Sequence, residues 1–255
     1  MDFSIFTAPD IGPWLFAGLC FASFATALLG TLAGAAGGLI LLALMANVLR
    51  PEVLIPVHTV VQLGQGISRT LVMRKHVVWE TVTPFVIGAV AGAIAGAKIF
   101  VALPMGWLQL ILGFFILLVT WIPKLGRIGG VNKRFIGVGF AATFLGVFVS
   151  ATGTLIAPVI AAASPTRHNH AATLGILMSI THTLKLMAFL FVGLAIGAYL
   201  PLMAGMILTG AVGNWMGERA LLKMPEERFR LIFQICLTIL GVRLLWMAAQ
   251  SAGWV

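Results

Sequence analysis

The chain has 255 residues, of which 60% are hydrophobic and only 9% charged, with a formal net charge of +9 and a mean hydropathy of +1.08. A soluble domain carries about a quarter charged residues, so this composition argues against a soluble enzyme or regulator and for an all-α polytopic membrane protein. With no soluble domain to present them, the surplus bases set loop topology against anionic lipid, which argues against a nucleic-acid partner.

The first residues, MDFSIFTAPDIGP, carry acids where the basic region of a secretory signal belongs, so no signal peptide is expected. Apolar runs follow at 14–33, 38–49, 53–73, 81–102, 105–123, 135–150, 154–163, 171–192, 198–217 and 229–248. Most approach the ~20 residues that cross a bilayer. Two are shorter, 38–49 and 154–163. Small residues separate each of them from the longer run before it: GTLAGAAGG at 30–38 and SATGT at 150–154. Glycine clusters interrupt helices, and irregular backbone at membrane depth survives only inside protein or beside a wet cavity. Each long and short run together therefore reads as a broken, re-entrant hairpin with its tip in the membrane. Cys20 and Cys236 lie within apolar runs and read as small buried hydrophobes.

The chain also repeats itself. AAGGLI at 35–40 corresponds to ATGTLI at 151–156, a spacing of 116, which places Arg69 on Lys185 and Gln65 on Thr181. GAKIFVALP at 96–104 corresponds to GERALLKMP at 217–225, a spacing of 121. The halves are then 1–124 and 135–255, joined by a basic linker at 125–134. Bases gather at 74–76, 124–134, 167–170 and 219–230, whereas 193–200 carries none. The positive-inside rule puts the basic loops in the cytoplasm. Loop 74–80 is then inside and its counterpart, 193–200, outside. The expected architecture is two inverted repeats, each a broken hairpin plus three transmembrane helices, with both termini periplasmic. Such repeats mark secondary transporters with a midplane site. The competing arrangement is four ordinary spans per half, in parallel.

Within the run 53–73, the segment HTVVQLGQGISR places His58, Gln62, Gln65 and Arg69 on one helical face. The matching segment MSITHTLK groups Thr181, His182 and Lys185. An intramembrane base is costly and is a functional residue by default. The plainer alternatives are a snorkelling Arg69 and glutamines that act only as interhelical glue. All seven acids, Asp2, Asp10, Glu52, Glu80, Glu218, Glu226 and Glu227, fall at or beyond span ends. A cation carrier needs a carboxylate near the midplane, so the polar inventory favours a small anion. Arg69 and Lys185 would bind its charge, and Gln62, Gln65, Ser150, Thr152, Thr154 and Thr181 would orient it. Backbone N–H groups at the starts of the short arms, around Gly37, Gly38 and Gly153, would add to the anion site. His58 and His182 are candidates for carrying a coupling proton. The RHNH run at 167–170 reads as a basic cytoplasmic turn with too few spaced ligands for a metal. No catalytic constellation, metal site or cofactor motif is present in the sequence.

These segments resemble the TauE/SafE sulfite exporter family of membrane permeases over nearly the whole chain. The resemblance is carried by GAAGGLI and ATGTLIAP, the RKHVVW turn, GAVAGAIAGAKI followed by LP, GAVGNWMGERALLKMP and the C-terminal LGVRLL. It implies export of sulfite, sulfonates or related anions across the bacterial inner membrane. The expected function is thus a secondary exporter of small sulfur-containing anions by alternating access. The alternative is a channel-like uniporter for small anions. The expected partners are the anion and the lipid bilayer, with no cofactor; a homodimer is compatible with the sequence.

Overall fold

The computed structural model describes residues 11–34, 36–45, 48–49, 51–99, 130–148, 152–191, 197–223 and 225–251, with four single positions (110, 114, 117 and 121) between them. The expected run 105–123, most of the linker, and Ser150 lie outside the described residues. The described residues are almost wholly helical, with no strand. The helices are α1 (Pro13–Ala33), α2 (Ala36–Met45), α3 (Pro51–Val72), α4 (Val82–Ile99), α5 (Val131–Phe148), α6 (Thr152–Ala163), α7 (Arg167–Phe191), α8 (Leu200–Lys223) and α9 (Glu226–Ser251).

Local chemistry sets the ends of these helices. Pro13 opens α1, where its missing N–H costs nothing. Gly34 closes α1 at φ 67°, a backbone angle that a side chain disfavours. The short helix α2, of 10 residues, follows the break at Gly34, and the short helix α6, of 12 residues, takes in Thr152, Gly153 and Thr154, which were expected to interrupt the chain. At 1.5 Å per residue each covers about half of a ~30 Å hydrocarbon core. The helix α7 starts four residues before the expected run. Thr166 caps it, its hydroxyl accepting from Asn169 N–H at 3.3 Å and donating to Asn169 Oδ1 at 2.7 Å. The RHNH run is therefore the first turn of a helix, where a loop was expected.

Three helix pairs build the body. α3 and α7 form a central pair. Gly66 abuts Ser179, Gly175 abuts Thr70, and Asn169 Nδ2 donates to His76 O at 2.8 Å. Numbers that rise on α3 fall on α7, so the two helices are antiparallel. On one side α1 runs parallel to α8: Thr209 donates to Cys20 O at 2.8 Å, Ser23 donates to Met206 O at 2.5 Å, and Gly213 lies against the Phe24 carbonyl. On the other side α4 runs parallel to α5: Gly88 lies against the Ile136 carbonyl, Gly139 against that of Phe85, and Gly92 against that of Phe140. Glycine at these contacts lets backbones approach within a distance that a Cβ would forbid.

The outer surface is apolar and much of the interior is polar. Trp14, Phe21 and Leu29 on α1, Ile87 and Ile94 on α4, Leu208 and Val212 on α8, and Ile235, Ile239 and Val242 on α9 are exposed. Thr26, Thr31, Gln65, Arg69, Thr181, Lys185 and Asn214 are buried. A protein in water would show the reverse, whereas lipid makes such an apolar exterior favourable. Pro13–Leu32 and Trp79–Gly96 have the length and apolarity to cross a bilayer. In α3 and α7 the polar stripe lowers the hydropathy while pointing inward, where other helices cover it.

Candidate functional site

The polar stripe of α3 faces inward along its whole length. His58, Gln62, Gln65 and Arg69 are all buried. Gln62, Gln65, Gly66 and Arg69 of α3 meet Gly34 and Gly38 from the first break, and Leu174, Gly175 and Met178 from α7. Between them lies a cavity with about 30 Å³ of room for the centres of water molecules. A water needs ~10–15 Å³ on this measure, so the cavity takes about two waters or one small ion. One wall is polar and belongs to α3. Leu174 and Met178 make the opposite wall apolar.

The first break is shaped around these side chains. A Cβ on Gly30 would lie 2.8 Å from Arg69 Nη2, and a Cβ on Gly38 would collide with the Gln62 amide. Gly38 O bonds His58 Nε2 at 2.9 Å, which ties the short helix α2 to α3. Gln65 Nε2 donates to Ser23 Oγ at 2.8 Å, which fixes that amide against α1. Arg69 Nε and Nη2 each donate to Asn214 Oδ1 at 3.3 Å. Gly37 faces the Thr26 carbonyl and Gly30 on α1 and is not part of the cavity lining.

The stripe of α7 is buried too, but it forms a separate environment. Thr152, Gly153, Thr181, His182 and Lys185 are buried and do not line the cavity. Thr152 and Thr181 come together around Gly146, where a Cβ would collide with the Thr152 methyl and touch that of Thr181. The Thr152 hydroxyl also lies 3.9 Å from Met178 Sδ, on the back of the cavity wall. The Thr181 hydroxyl bonds its own helix at Leu177 O, 3.0 Å away. Lys185 is close enough to interact electrostatically with both His58 and His182. Of Thr154 only the helical backbone is described. Ser150 remains outside the described residues.

Among the described residues the buried polar set contains bases, amides, hydroxyls and imidazoles and no carboxylate. An enclosed guanidinium with neutral partners is poised for an oxyanion, because its planar N–H fork matches oxygen pairs. No group of three metal-ligating side chains occurs among the described residues.

Residues 19–244 match the family described as Sulfite exporter TauE/SafE. The chain belongs to the TauE/SafE family. Membership implies a membrane permease that exports sulfite or organosulfur anions. No curated protein and no solved structure matches the chain.

The sequence reading missed what holds Arg69 in place. Asn214 is a lone amide in an apolar run, and nothing in its spacing singles it out. Ser23 and Thr31 carried no signal at all, since a lone hydroxyl on an apolar helix usually bonds its own backbone. Their roles depend on α1 and α8 lying beside α3, which no spacing encodes.

Proposed function

We propose that this TauE/SafE protein is a secondary exporter of small sulfur-containing anions, such as sulfite or sulfonates, that works by alternating access. The observation that carries this reading is the cavity at Arg69, Gln62, Gln65 and Gly38: a buried base with amides beside it and no buried acid among the described residues. Arg69 supplies the charge. Gln62, Gln65 and backbone groups of the first break orient the oxygens. Leu174 and Met178 accommodate the substituent or lone pair that distinguishes sulfite and sulfonates from sulfate. Lys185 with Thr181, Thr152, Gly153, Thr154 and Ser150 forms the matching region of the second half, and His58 and His182 are candidates for a coupling proton.

The two halves act as inverted repeats around this site. The support is a correspondence of individual contacts. At spacings of 116 and 121, the Phe24–Gly213 contact matches Phe140–Gly92. In the same way Cys20–Thr209 matches Ile136–Gly88, and Ser23–Met206 matches Gly139–Phe85. The central pair, α3 with α7, is antiparallel, as an axis in the membrane plane requires. A fold of this kind can exchange the roles of its halves, which is the structural basis of alternating access. The chain is placed in the bacterial inner membrane with both termini in the periplasm. Basic residues at 74–76, 167–170 and 219–223 come together at one end of the bundle, where Arg167 donates to Leu221 O at 3.0 Å. That end is the cytoplasmic one by the charge rule.

Counterflow in proteoliposomes tests the reading. Vesicles preloaded with unlabelled sulfite should transiently accumulate labelled sulfite, and thiosulfate or a small sulfonate should compete. Ohmic flux without accumulation would make the protein a channel. Failure of every sulfur anion to accumulate or flow would reject the substrate class.

A further inference from the structure

Asn214 projects from α8 where α1, α3 and α8 meet, and it is 1% exposed. Its Oδ1 accepts from Arg69 Nε and Nη2, both at 3.3 Å, and from the Thr31 hydroxyl at 3.0 Å. Its Nδ2 donates to Gln65 O and to Ser68 Oγ, each at 2.7 Å. A guanidinium can only donate, so the atom that faces it must be the amide oxygen, and the two acceptors on the other side fix the nitrogen. Oxygen and nitrogen are thus both committed, and the side chain has one orientation.

The chemistry of this position is narrow. A carboxylate here would neutralise Arg69 and compete with an incoming anion. An apolar side chain would leave two guanidinium N–H groups buried with no acceptor, and the base would turn toward whatever acceptor it found. The amide fixes the direction of the guanidinium and leaves its charge uncompensated. Nε and one N–H of Nη2 are used on Asn214. Among the described residues, both N–H groups of Nη1 and the second of Nη2 make no hydrogen bond, which leaves them for a ligand.

We propose that Asn214 is the positioning residue of the anion site: it holds one edge of Arg69 so that the other N–H groups are presented to the anion, and it ties that base to the α1–α8 pair. The inference rests on the reading of Arg69 as the anion-binding base. It also gives the transport cycle a mechanical link. Any shift of α8 along α3 carries Asn214 with it and re-aims the guanidinium, so anion affinity changes with the position of the α1–α8 pair.

The experiment is sulfite counterflow in proteoliposomes, with KM and the maximal rate measured separately for the wild type, Asn214→Ala and Asn214→Asp. Loss of hydrogen bonds to a charged group predicts a KM about tenfold higher in Asn214→Ala, with the maximal rate retained within about threefold. Asn214→Asp, nearly isosteric and still able to accept from Thr31, should raise KM further than Ala does. A packing role alone would lower the yield and the maximal rate of both variants and leave KM at the wild-type value; that result, or an Asp variant with a lower KM than Ala, overturns the proposal. Should Asn214→Asp fail to insert, Asn214→Ser takes its place and must raise KM as Ala does. A wild type that shows no counterflow rejects the functional reading instead, so the two failures are separable.

Discussion

The two halves of the molecule hold a base at corresponding positions, and they treat it differently. Arg69 lines a cavity, with its guanidinium fixed by Asn214 and its flank cleared by Gly30. Lys185, 1% exposed, lies outside that cavity in the electrostatic company of two imidazoles. The spacing of 121 that aligns the later helices puts Ala93 in the place of Asn214, so the second half has no amide at the matching position. The cavity glutamine Gln62 likewise corresponds to Met178, which supplies the apolar wall. The difference teaches that a matching position in the sequence need not bring matching surroundings. Contacts at corresponding positions are alike, as with Phe24–Gly213 and Phe140–Gly92, whereas the polar surroundings of Arg69 and Lys185 differ.

This contrast can be broken at its strongest point first. Arg69→Leu should reduce sulfite counterflow by more than about 100-fold, since it removes the buried charge that lines the cavity proposed to hold the anion. Near-normal flux in a normally inserted variant would move the site elsewhere. Lys185→Met should also abolish transport without unfolding the protein, checked by flux alongside size-exclusion behaviour in detergent. Retained flux would reduce Lys185 to a packing residue. In the double change, Arg69→Gln with Lys185→Gln, flux should be no lower than in the worse single variant if both bases serve one anion. Additive losses would give them independent tasks.

Smaller effects test the shared frame. Gly92→Leu and Gly213→Leu each drive a side chain into a helix carbonyl at matching places, so they should lower the detergent melting temperature by similar amounts. Unequal shifts would argue against equivalence of the halves. Thr31→Val should have the mildest effect, raising KM for sulfite about two- to threefold, because Asn214 keeps four of its five hydrogen bonds.

Much of this frame was legible in the sequence, for identifiable reasons. Hydrophobic length marked the spans, and a glycine cluster marked the break at Gly34. The helical period placed His58, Gln62, Gln65 and Arg69 on one buried face. The start of α7 was misplaced because RHNH is polar, although Thr166 and Asn169 already spelled an N-terminal cap. The cavity itself was only partly legible. Sequence correspondence grouped Arg69 with Lys185, Thr152 and Thr181, whereas packing places Leu174, Gly175 and Met178 opposite Arg69. Those three carry no charge and no catalytic type, so only the antiparallel contact of α3 with α7 could select them.

The parallel pairing of α1 with α8 has a consequence for how the protein is made. These helices begin at Pro13 and Leu200, so one waits for the other during translation. At ~5–20 residues per second the interval is roughly 10–40 s. For most of it Ser23 and Thr31 of α1, joined later by Gln65 and Arg69 of α3, sit in the membrane without Met206 and Asn214. A ribosome-associated insertase that shields polar side chains would have to hold this first half open until the chain is nearly complete. The ribosome's own pace is thereby part of the folding pathway.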